Sequence, residues 1–165
     1  MSIMSIEILD NAFTRAKHMN LSQKCQYAMR ALFELAKHER EGPVRIGQIA
    51  EAQAIPVRFL EGILNELKHA GYVESRRGVQ GGYMLAVPAG TLTVGEVIRF
   101  IDGPQTPVRC LGEGGGADCP LLGSCAFSDL WARAARAVAE VYDHTTLRDL
   151  VDQERASRGV PAYCI

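Results

Sequence analysis

Hydrophobic residues recur at helical spacing in the first regular part of the sequence. A good N-cap, Ser22, precedes the first predicted helix, which runs to about His38, where Glu41-Gly42-Pro43 stops it. Arg30 and Glu34 lie one turn apart and are expected to pair on its outer face. Its inner face is expected to consist of Leu21, Cys25, Ala28, Leu32, Leu35 and Ala36.

Two further helices follow with a very short connection between them. The first is short, and its apolar face consists of Ile46, Ile49 and Ala50. After a tight break near Gln53-Ala54-Ile55, the second opens with Pro56 and is stopped by Gly71. Its inner face consists of Leu60, Ile63, Leu64 and Leu67. Two helices joined by so short a turn predict a helix-turn-helix, whose second helix can enter the major groove of DNA.

After Gly71 the spacing of hydrophobic residues changes from that of a helix to the pattern typical of strands. Tyr72-Val73-Glu74-Ser75 and Tyr83-Met84-Leu85-Ala86-Val87 are predicted to be strands on either side of a glycine-rich segment, and Pro88 ends the second. A hairpin with Arg76 and Arg77 at its tip, directly after a helix-turn-helix, is a wing. The predicted fold class is therefore mainly α with a small β wing: a winged helix-turn-helix domain followed by a long C-terminal dimerisation helix.

The C-terminal half of the sequence predicts an arm beyond the winged domain. A helix that carries Val94 and Ile98 closes at Asp102-Gly103-Pro104, and a loop rich in proline and glycine follows. A long helix resumes after Ser124 with an apolar stripe of Phe127, Leu130, Trp131, Ala134, Val138 and Val141. This stripe predicts packing against the same helix of a second subunit, and the alternative is that it folds back on its own winged domain.

A shorter helix around Leu147, Leu150 and Val151 is expected to cap this arm. The predicted organisation is thus an N-terminal extension (1–20), a winged helix-turn-helix domain (21–104), a cysteine-bearing loop (105–125), a dimerisation helix with its cap (126–155) and a frayed tail (156–165).

Composition and charge narrow the class of protein. The chain has 165 residues, of which 47% are hydrophobic and 22% charged, in the ordinary range for globular proteins. No apolar run approaches the roughly 20 residues that cross a bilayer, and the first twenty residues do not resemble a secretory signal, so we expect a cytoplasmic protein without a membrane partner. Residues 1–90 hold 11 basic and 9 acidic residues, whereas residues 91–165 hold 7 and 10. This small asymmetry has the sign expected for a half that reads DNA.

Catalysis is not expected, because the four histidines are scattered and no nucleophile set or phosphate-binding loop is present. The sequence therefore predicts neither an enzyme nor a small-molecule substrate.

The candidate DNA-binding residues lie on the second helix of the helix-turn-helix and on the wing. Its first turn supplies Pro56, Val57, Arg58, Phe59 and Glu61. Arg58 could contact guanine, and Glu61 could accept a hydrogen bond from a cytosine amino group. The alternative is that both are ordinary exposed residues on a helix surface. The wing favours DNA binding, because its two arginines can approach a minor groove. Three glycines would let the wing backbone approach the phosphates, and two residues at the start of the first helix are candidate phosphate anchors: Gly78, Gly81, Gly82, Ser22 and Lys24.

Three of the five cysteines lie in one loop. Eight residues separate Cys110 from Cys119, and five separate Cys119 from Cys125, which is not the paired pattern of a zinc finger. Thiolates on a glycine-rich tether can hold an iron–sulfur cluster, but such a cluster wants four attachment points, and three loop cysteines can also be plain thiols.

Taken together, these motifs resemble the Rrf-two family of bacterial transcription regulators, of the IscR, NsrR and RirA type. The resemblance covers roughly residues 21–151 and rests on Leu21-Ser22, Tyr27-Ala28, Arg30-Ala31-Leu32, Ile46-Gly47-Gln48-Ile49-Ala50, Phe59-Leu60-Glu61, Gly78, Gly81-Gly82-Tyr83 and the segment from Val97 to Gly103-Pro104. It implies a homodimer that binds palindromic promoter DNA, expected to be a repressor, with Cys110, Cys119 and Cys125 as ligands of a [2Fe–2S] or [4Fe–4S] cluster that switches binding.

The fourth ligand of such a cluster stays open. The position where one subgroup has a histidine is Ser128, and the position of a carboxylate borrowed from the partner's first helix is Gln26. The adjacent Cys25 could supply a thiolate, but its place on the apolar stripe favours a buried thiol. A regulator of the same fold that responds through its thiols, without a cluster, is the alternative.

Overall fold

The computed structural model describes residues 21–111 and 119–158, and its elements confirm the predicted fold class. The expected N-terminal extension and residues 159–165 of the expected tail lie outside this range. The described elements are α1 (Gln23–Lys37), α2 (Ile46–Gln53), α3 (Val57–His69), β1 (Val73–Arg76), β2 (Gly82–Leu85), α4 (Val94–Asp102), a 3-10 turn (Arg109–Leu111), α5 (Ser128–Asp143) and α6 (Leu147–Arg158).

Helix α1 is the centre of the domain and packs against α2, α3, α4 and α6. The hydroxyl of Ser22 caps it by accepting a hydrogen bond from the Cys25 amide at 3.0 Å, as predicted. Its buried apolar face consists of Cys25, Ala28, Ala31, Leu32, Leu35 and Ala36. The core of the domain is therefore built around this one helix.

The expected surface pair of Arg30 and Glu34 is wrong. Glu34 is 4% exposed, and its carboxylate accepts hydrogen bonds from Gln53 Nε2 at 2.7 Å and from Lys37 Nζ at 3.1 Å. Arg30 instead lies over the ring of Tyr27. Glu34 turns toward α2, where the Gln53 amide donates to a carboxylate that burial would otherwise disfavour.

A tight turn joins α2 to α3, as the sequence predicts. Ala54 adopts the left-handed conformation with φ of 48°, and the buried Ile55 donates its amide to the Ala50 carbonyl at 2.9 Å. Pro56 is the N-cap of α3 rather than its first helical residue, because its ψ of 127° is extended. Gly71 follows the end of α3 with φ of 80°, a conformation that favours glycine.

The wing is a hairpin that pairs with a third segment before α2. Strands β1 and β2 are antiparallel, with Val73 opposite Leu85 and Arg76 opposite Gly82. The backbones of Val44 and Tyr83 exchange two hydrogen bonds of 2.8 Å each. A Cβ on Gly82 would lie 2.5 Å from the Val44 carbonyl oxygen, so this close approach requires glycine.

The expectation that the last helix caps the dimerisation arm is wrong. Leu147 and Val151 of α6 are fully buried in the core of the winged domain, and α6 packs on α1. The first residues of α6 are held to the segment before α4 by hydrogen bonds from the Leu147 amide to the Leu92 carbonyl and from the Arg148 amide to the Ala89 carbonyl. Residues 156–158, expected to belong to a frayed tail, continue this helix.

Helix α5 lies between these core elements in sequence, yet none of its residues is buried. It packs along α4, where the Asp143 carboxylate accepts from Arg99 Nη1 at 2.6 Å and fills the space beside Gly95. Among the helices of the described residues, none is long and apolar enough to cross a membrane.

Candidate nucleic-acid interface and cysteine loop

The first turn of α3 presents side chains of mixed chemistry to solvent. Val57 is 44% and Phe59 49% exposed, and Arg58 and Glu61 are exposed beside them. Leu60, between them, is fully buried and fixes this turn to the core. The side chains that the sequence nominates for reading base edges are thus available on one surface.

An aromatic pair connects this turn to α1. The ring centroids of Tyr27 and Phe59 lie 6.5 Å apart. The Arg58 guanidinium lies 4.7 Å from the Phe59 centroid, and the Arg30 guanidinium lies 5.9 Å from the Tyr27 centroid. Guanidinium groups stack favourably on aromatic rings, so two cations are held beside the first turn of α3. In the sequence, Tyr27 and Arg30 contribute only to the family resemblance, and Arg30 to the expected pair with Glu34, and neither residue is connected there with the first turn of α3.

The wing tip places its arginines in solvent. Arg76 and Arg77 are exposed, and Arg76 Nη2 lies 3.6 Å from a Glu74 carboxylate oxygen. The turn between the strands is closed by a hydrogen bond of 2.9 Å from the Gly81 amide to the Gly78 carbonyl. A Cβ on Gly81 would lie 2.4 Å from the Arg76 carbonyl oxygen, so Gly81 is needed for the turn itself.

Both candidate phosphate anchors on α1 have partners within the chain. Ser22 donates its amide to Asp102 Oδ2 at 2.7 Å and its hydroxyl to Asp102 Oδ1 at 2.5 Å. Lys24 Nζ forms an ion pair of 2.6 Å with the Glu66 carboxylate of α3. Each side chain is still exposed, but a phosphate would have to compete with a carboxylate for it.

Arg45 lies near the wing and was not recognised in the sequence. It precedes α2, and its Nη2 donates to the Val79 carbonyl at 2.8 Å. In the sequence it is a single basic residue before a short helix, and only the folded hairpin brings residue 79 to it.

The three loop cysteines differ in exposure. Cys110 is exposed in the 3-10 turn, whereas Cys119 and Cys125 are partly buried. The Cys125 carbonyl accepts from the Ser128 amide at 3.2 Å, so Cys125 lies directly at the start of α5. The stretch 112–118 between Cys110 and Cys119 is outside the described residues.

Three thiols on one loop are the donor set that iron–sulfur clusters use. Within residues 21–111 and 119–158, no three His, Cys, Asp or Glu side chains lie together as ligands for one metal ion. The donor chemistry therefore fits a cluster, while the described arrangement does not gather the ligands around one.

Cys25 has a different environment from the loop cysteines. It is fully buried, and burial, together with the charge of Asp102 and a hydrogen bond to it, raises the pKa of the Cys25 thiol to about 12. The thiol stays protonated at neutral pH, which supports the interpretation of Cys25 as a buried thiol rather than a ligand.

The apolar stripe of α5 is only partly covered. Phe127 is 59%, Leu130 50% and Val141 63% exposed, and the Phe127 and Trp131 rings stack with centroids 6.2 Å apart. Ala134 and Val138 are half-buried. The packing on α4 thus leaves a row of large apolar side chains open to solvent.

Comparison with known proteins agrees with this architecture. Residues 21–153 match the family described as Rrf2, Iron-dependent Transcriptional regulator. Protein rrf2 of Nitratidesulfovibrio vulgaris is 36% identical over 133 residues, which cover 81% of this chain and 87% of that protein. The structure of CymR, the global cysteine regulator of B. subtilis, superposes with a TM-score of 0.70 at 36% identity and covers 81% of this chain and 97% of that one. T. potens IscR superposes with a TM-score of 0.70 at 30% identity and covers 87% of this chain and 94% of that one.

The family match spans most of the chain and coincides with the described winged domain and α5. It also bears out the expectation that the chain is not an enzyme, because the relatives are named as regulators. The chain belongs to the Rrf2 family and is a DNA-binding transcription regulator.

Proposed function

We propose that this protein acts in the cytoplasm as a homodimeric repressor that binds palindromic promoter DNA, and that Cys110, Cys119 and Cys125 switch this binding by holding an iron–sulfur cluster. The proposal rests on the position of the three cysteine thiols in the chain. All three lie on the segment that joins α4 to α5, between the winged domain and the candidate dimer helix.

DNA recognition is assigned to two surfaces of the winged domain. The first turn of α3 supplies Val57, Arg58, Phe59 and Glu61 for the major groove, and Pro56 sets where this turn begins. Arg76 and Arg77 supply positive charge for a minor groove beside it. The glycines of the wing keep the turn compact enough to approach the phosphate backbone.

Dimerisation is assigned to α5. Its exposed apolar side chains would be buried against the same helix of a second copy, which gives a two-fold symmetric interface. Two recognition helices related by this symmetry would read half-sites of opposite orientation, about 34 Å or one helical turn of DNA apart, which accounts for a palindromic site.

The cysteine loop is placed to change the geometry of this dimer. Cys110 lies after α4, which packs on α1, and Cys125 lies three residues before the start of α5. A constraint that joins these thiols would fix where α5 begins relative to α4, and releasing it would let the two winged domains change their separation. When bound, a cluster supplies that constraint through iron–thiolate bonds, which depend on iron and on redox state.

A second candidate is a regulator that responds through its thiols alone. The described residues do not gather three ligands for one metal ion, and the similar CymR is named as a global cysteine regulator. In this case the loop cysteines would be oxidised or stay reduced without iron, and the DNA-binding surfaces would be unchanged.

An absorption spectrum from about 300 to 700 nm, with iron and sulfide assays on the same oxygen-free sample, separates the two candidates. A coloured sample with near-equal iron and sulfide, and its loss in the Cys119→Ser variant, would support the cluster. A colourless sample that cannot be reconstituted would contradict the cluster and favour the thiol regulator. Arg155→Ala, on the exposed face of α6, is the control and should keep the colour.

A further inference from the structure

The wing tip projects into solvent and has little apolar packing of its own. Val79, at the tip, is 88% exposed, and its neighbours from residue 74 to residue 80 are exposed as well. The hydrogen bond from Gly81 to Gly78 closes the turn but does not connect it to the rest of the domain. The orientation of the tip must therefore be set by contacts from outside the hairpin.

Two neighbouring residues of the segment before α2 supply such contacts, one at strand β2 and one at the tip of the hairpin. Val44 pairs with Tyr83 through two backbone hydrogen bonds, and Gly82 packs directly on the Val44 carbonyl. Arg45 reaches further out, and its Nη2 donates to the Val79 carbonyl at 2.8 Å. Lys68 of α3 also donates to the Ser75 hydroxyl of β1 at 2.8 Å, so the strands are held from two sides, and Arg45 is the side chain that ties the tip itself to the segment before α2.

We propose that Arg45 is a positioning residue that holds the wing at a fixed orientation to the helix-turn-helix, so that Arg76 and Arg77 reach DNA in register with α3. This inference rests on the proposed use of the wing in DNA binding. Arginine suits the role because its guanidinium presents several N–H donors in a rigid plane, and it keeps its charge at any physiological pH. The bond to Val79 uses one donor and leaves the group exposed.

A double-mutant cycle on the full-length protein tests whether Arg45 acts through the wing. The dissociation constant for a promoter duplex selected with the wild-type protein is measured for Arg45→Ala, for Arg76→Ala/Arg77→Ala, and for the triple variant. We expect Arg45→Ala to weaken binding about fivefold with the wing arginines present, and less than about twofold without them. Arg155→Ala, an exposed arginine of α6, is the control for loss of one charge and should bind as the wild type does.

The salt dependence of the same measurements identifies the alternative, a direct bond from Arg45 to phosphate. Such a bond would make the loss of affinity caused by Arg45→Ala equal with and without the wing arginines. It would also lower the slope of log K against log salt by about one when Arg45→Ala is added to Arg76→Ala/Arg77→Ala. Either result would overturn the positioning role.

A second measurement needs no DNA and keeps this inference separate from the proposed function. Backbone order parameters from ¹⁵N relaxation are recorded for residues 78–81 in the free protein. They should fall in Arg45→Ala and stay unchanged in Arg155→Ala. Unchanged order at the tip in Arg45→Ala would refute the proposal even if DNA binding is strong. Reduced order together with no specific DNA binding by the wild type would refute the proposed function and leave the contact as a structural one.

Discussion

At the scale of single residues, the four cysteines within the described residues divide into one buried thiol and three thiols that are at least partly exposed to solvent. Cys25 is enclosed by the core with its pKa raised to about 12, whereas Cys110 is exposed. The thiolate is the reactive form, so a thiol with a pKa this high is almost entirely protonated, and unreactive, at pH 8.

We therefore expect iodoacetamide at about pH 8 to label Cys110 in the folded, metal-free protein and to leave Cys25 unlabelled until the protein is unfolded. Mass spectrometry of tryptic peptides against time measures both rates in one sample. Unfolding in urea before labelling is the control and should expose Cys25. Equal rates for the two cysteines in the folded protein would contradict the assignment of Cys25 as a buried thiol.

Glu34 is the second residue whose environment gives a measurable consequence. Burial alone would raise its pKa, but the hydrogen bonds from Gln53 and Lys37 and the Lys37 charge outweigh burial and lower the pKa below its ordinary value of 4.5. A carboxyl with a lowered folded-state pKa stabilises the fold above the unfolded value. That contribution is lost as the pH falls through the folded-state pKa.

Glu34→Gln should lower the free energy of unfolding at pH 7 by about 1–3 kcal/mol, because Lys37 and Gln53 lose the charged acceptor. The variant should also lose less stability than the wild type between about pH 5 and pH 3. Urea unfolding across this range measures both effects, with Glu61→Gln on the exposed face of α3 as the control. Parallel pH curves for wild type and Glu34→Gln would contradict the account.

Glu34 also shows what sequence spacing cannot reveal. Arg30 and Glu34 are four residues apart, so their side chains would be neighbours on the surface of α1 if that helix were isolated. The angle at which α2 crosses α1 turns Glu34 inward and brings Gln53 to it from 19 residues away. For the same reason the sequence did not reveal the role of Arg45, because its hydrogen-bond partner Val79 is 34 residues away. Contacts between elements decide these roles, and local periodicity carries no information about them.

At the scale of elements, α6 completes the winged domain rather than the arm. Its Leu147 and Val151 are fully buried against a core that α1 organises, and its first residues pair with the segment before α4. The chain therefore leaves the domain through α5 and returns to it through α6.

Leu147→Ala should lower the free energy of unfolding of the winged domain by about 2–4 kcal/mol, because it leaves a cavity in the core. Leu150→Ala, on the same helix but only half-buried, should cost clearly less. Chemical denaturation followed by far-UV circular dichroism compares the two. Equal and small losses would mean that α6 does not belong to this core.

Elements α1 to α4 and the wing could be predicted from the sequence because caps, breaks and periodicity mark each one locally. Ser22 and Gly71 lie at helix ends as expected, and Pro56 differs from expectation by one position. The apolar face of α6 was equally visible, but a pattern shows that a face is buried without showing which surface covers it. Its location required the pairing of Leu147 with Leu92, 55 residues earlier in the chain.

At the scale of the whole molecule, the proposed dimer depends on α5. Half-exposed Phe127, Leu130 and Val141 form a row along a helix that has no buried residue. A row of this kind is covered most simply by its own copy about a two-fold axis.

Leu130→Glu should convert the dimer to a monomer, because a carboxylate would be buried without a partner in the interface. Arg136→Glu introduces the same carboxylate on an exposed position of α5 about half a turn around the helix from Phe127. It should leave the dimer intact. Sedimentation velocity of both variants measures the mass. A Leu130→Glu dimer of unchanged stability would contradict the assignment of this face.

The central claim is that the loop cysteines control promoter binding through the arrangement of the dimer. Its most direct test is the dissociation constant for promoter DNA of oxygen-free protein before and after iron removal, for wild type and Cys119→Ser. We predict that iron removal changes the wild-type constant at least about tenfold, which corresponds to about 1.4 kcal/mol or more, and leaves the constant of Cys119→Ser unchanged. A Cys119→Ser protein that is folded, binds the promoter and still responds to iron as the wild type does would contradict the account.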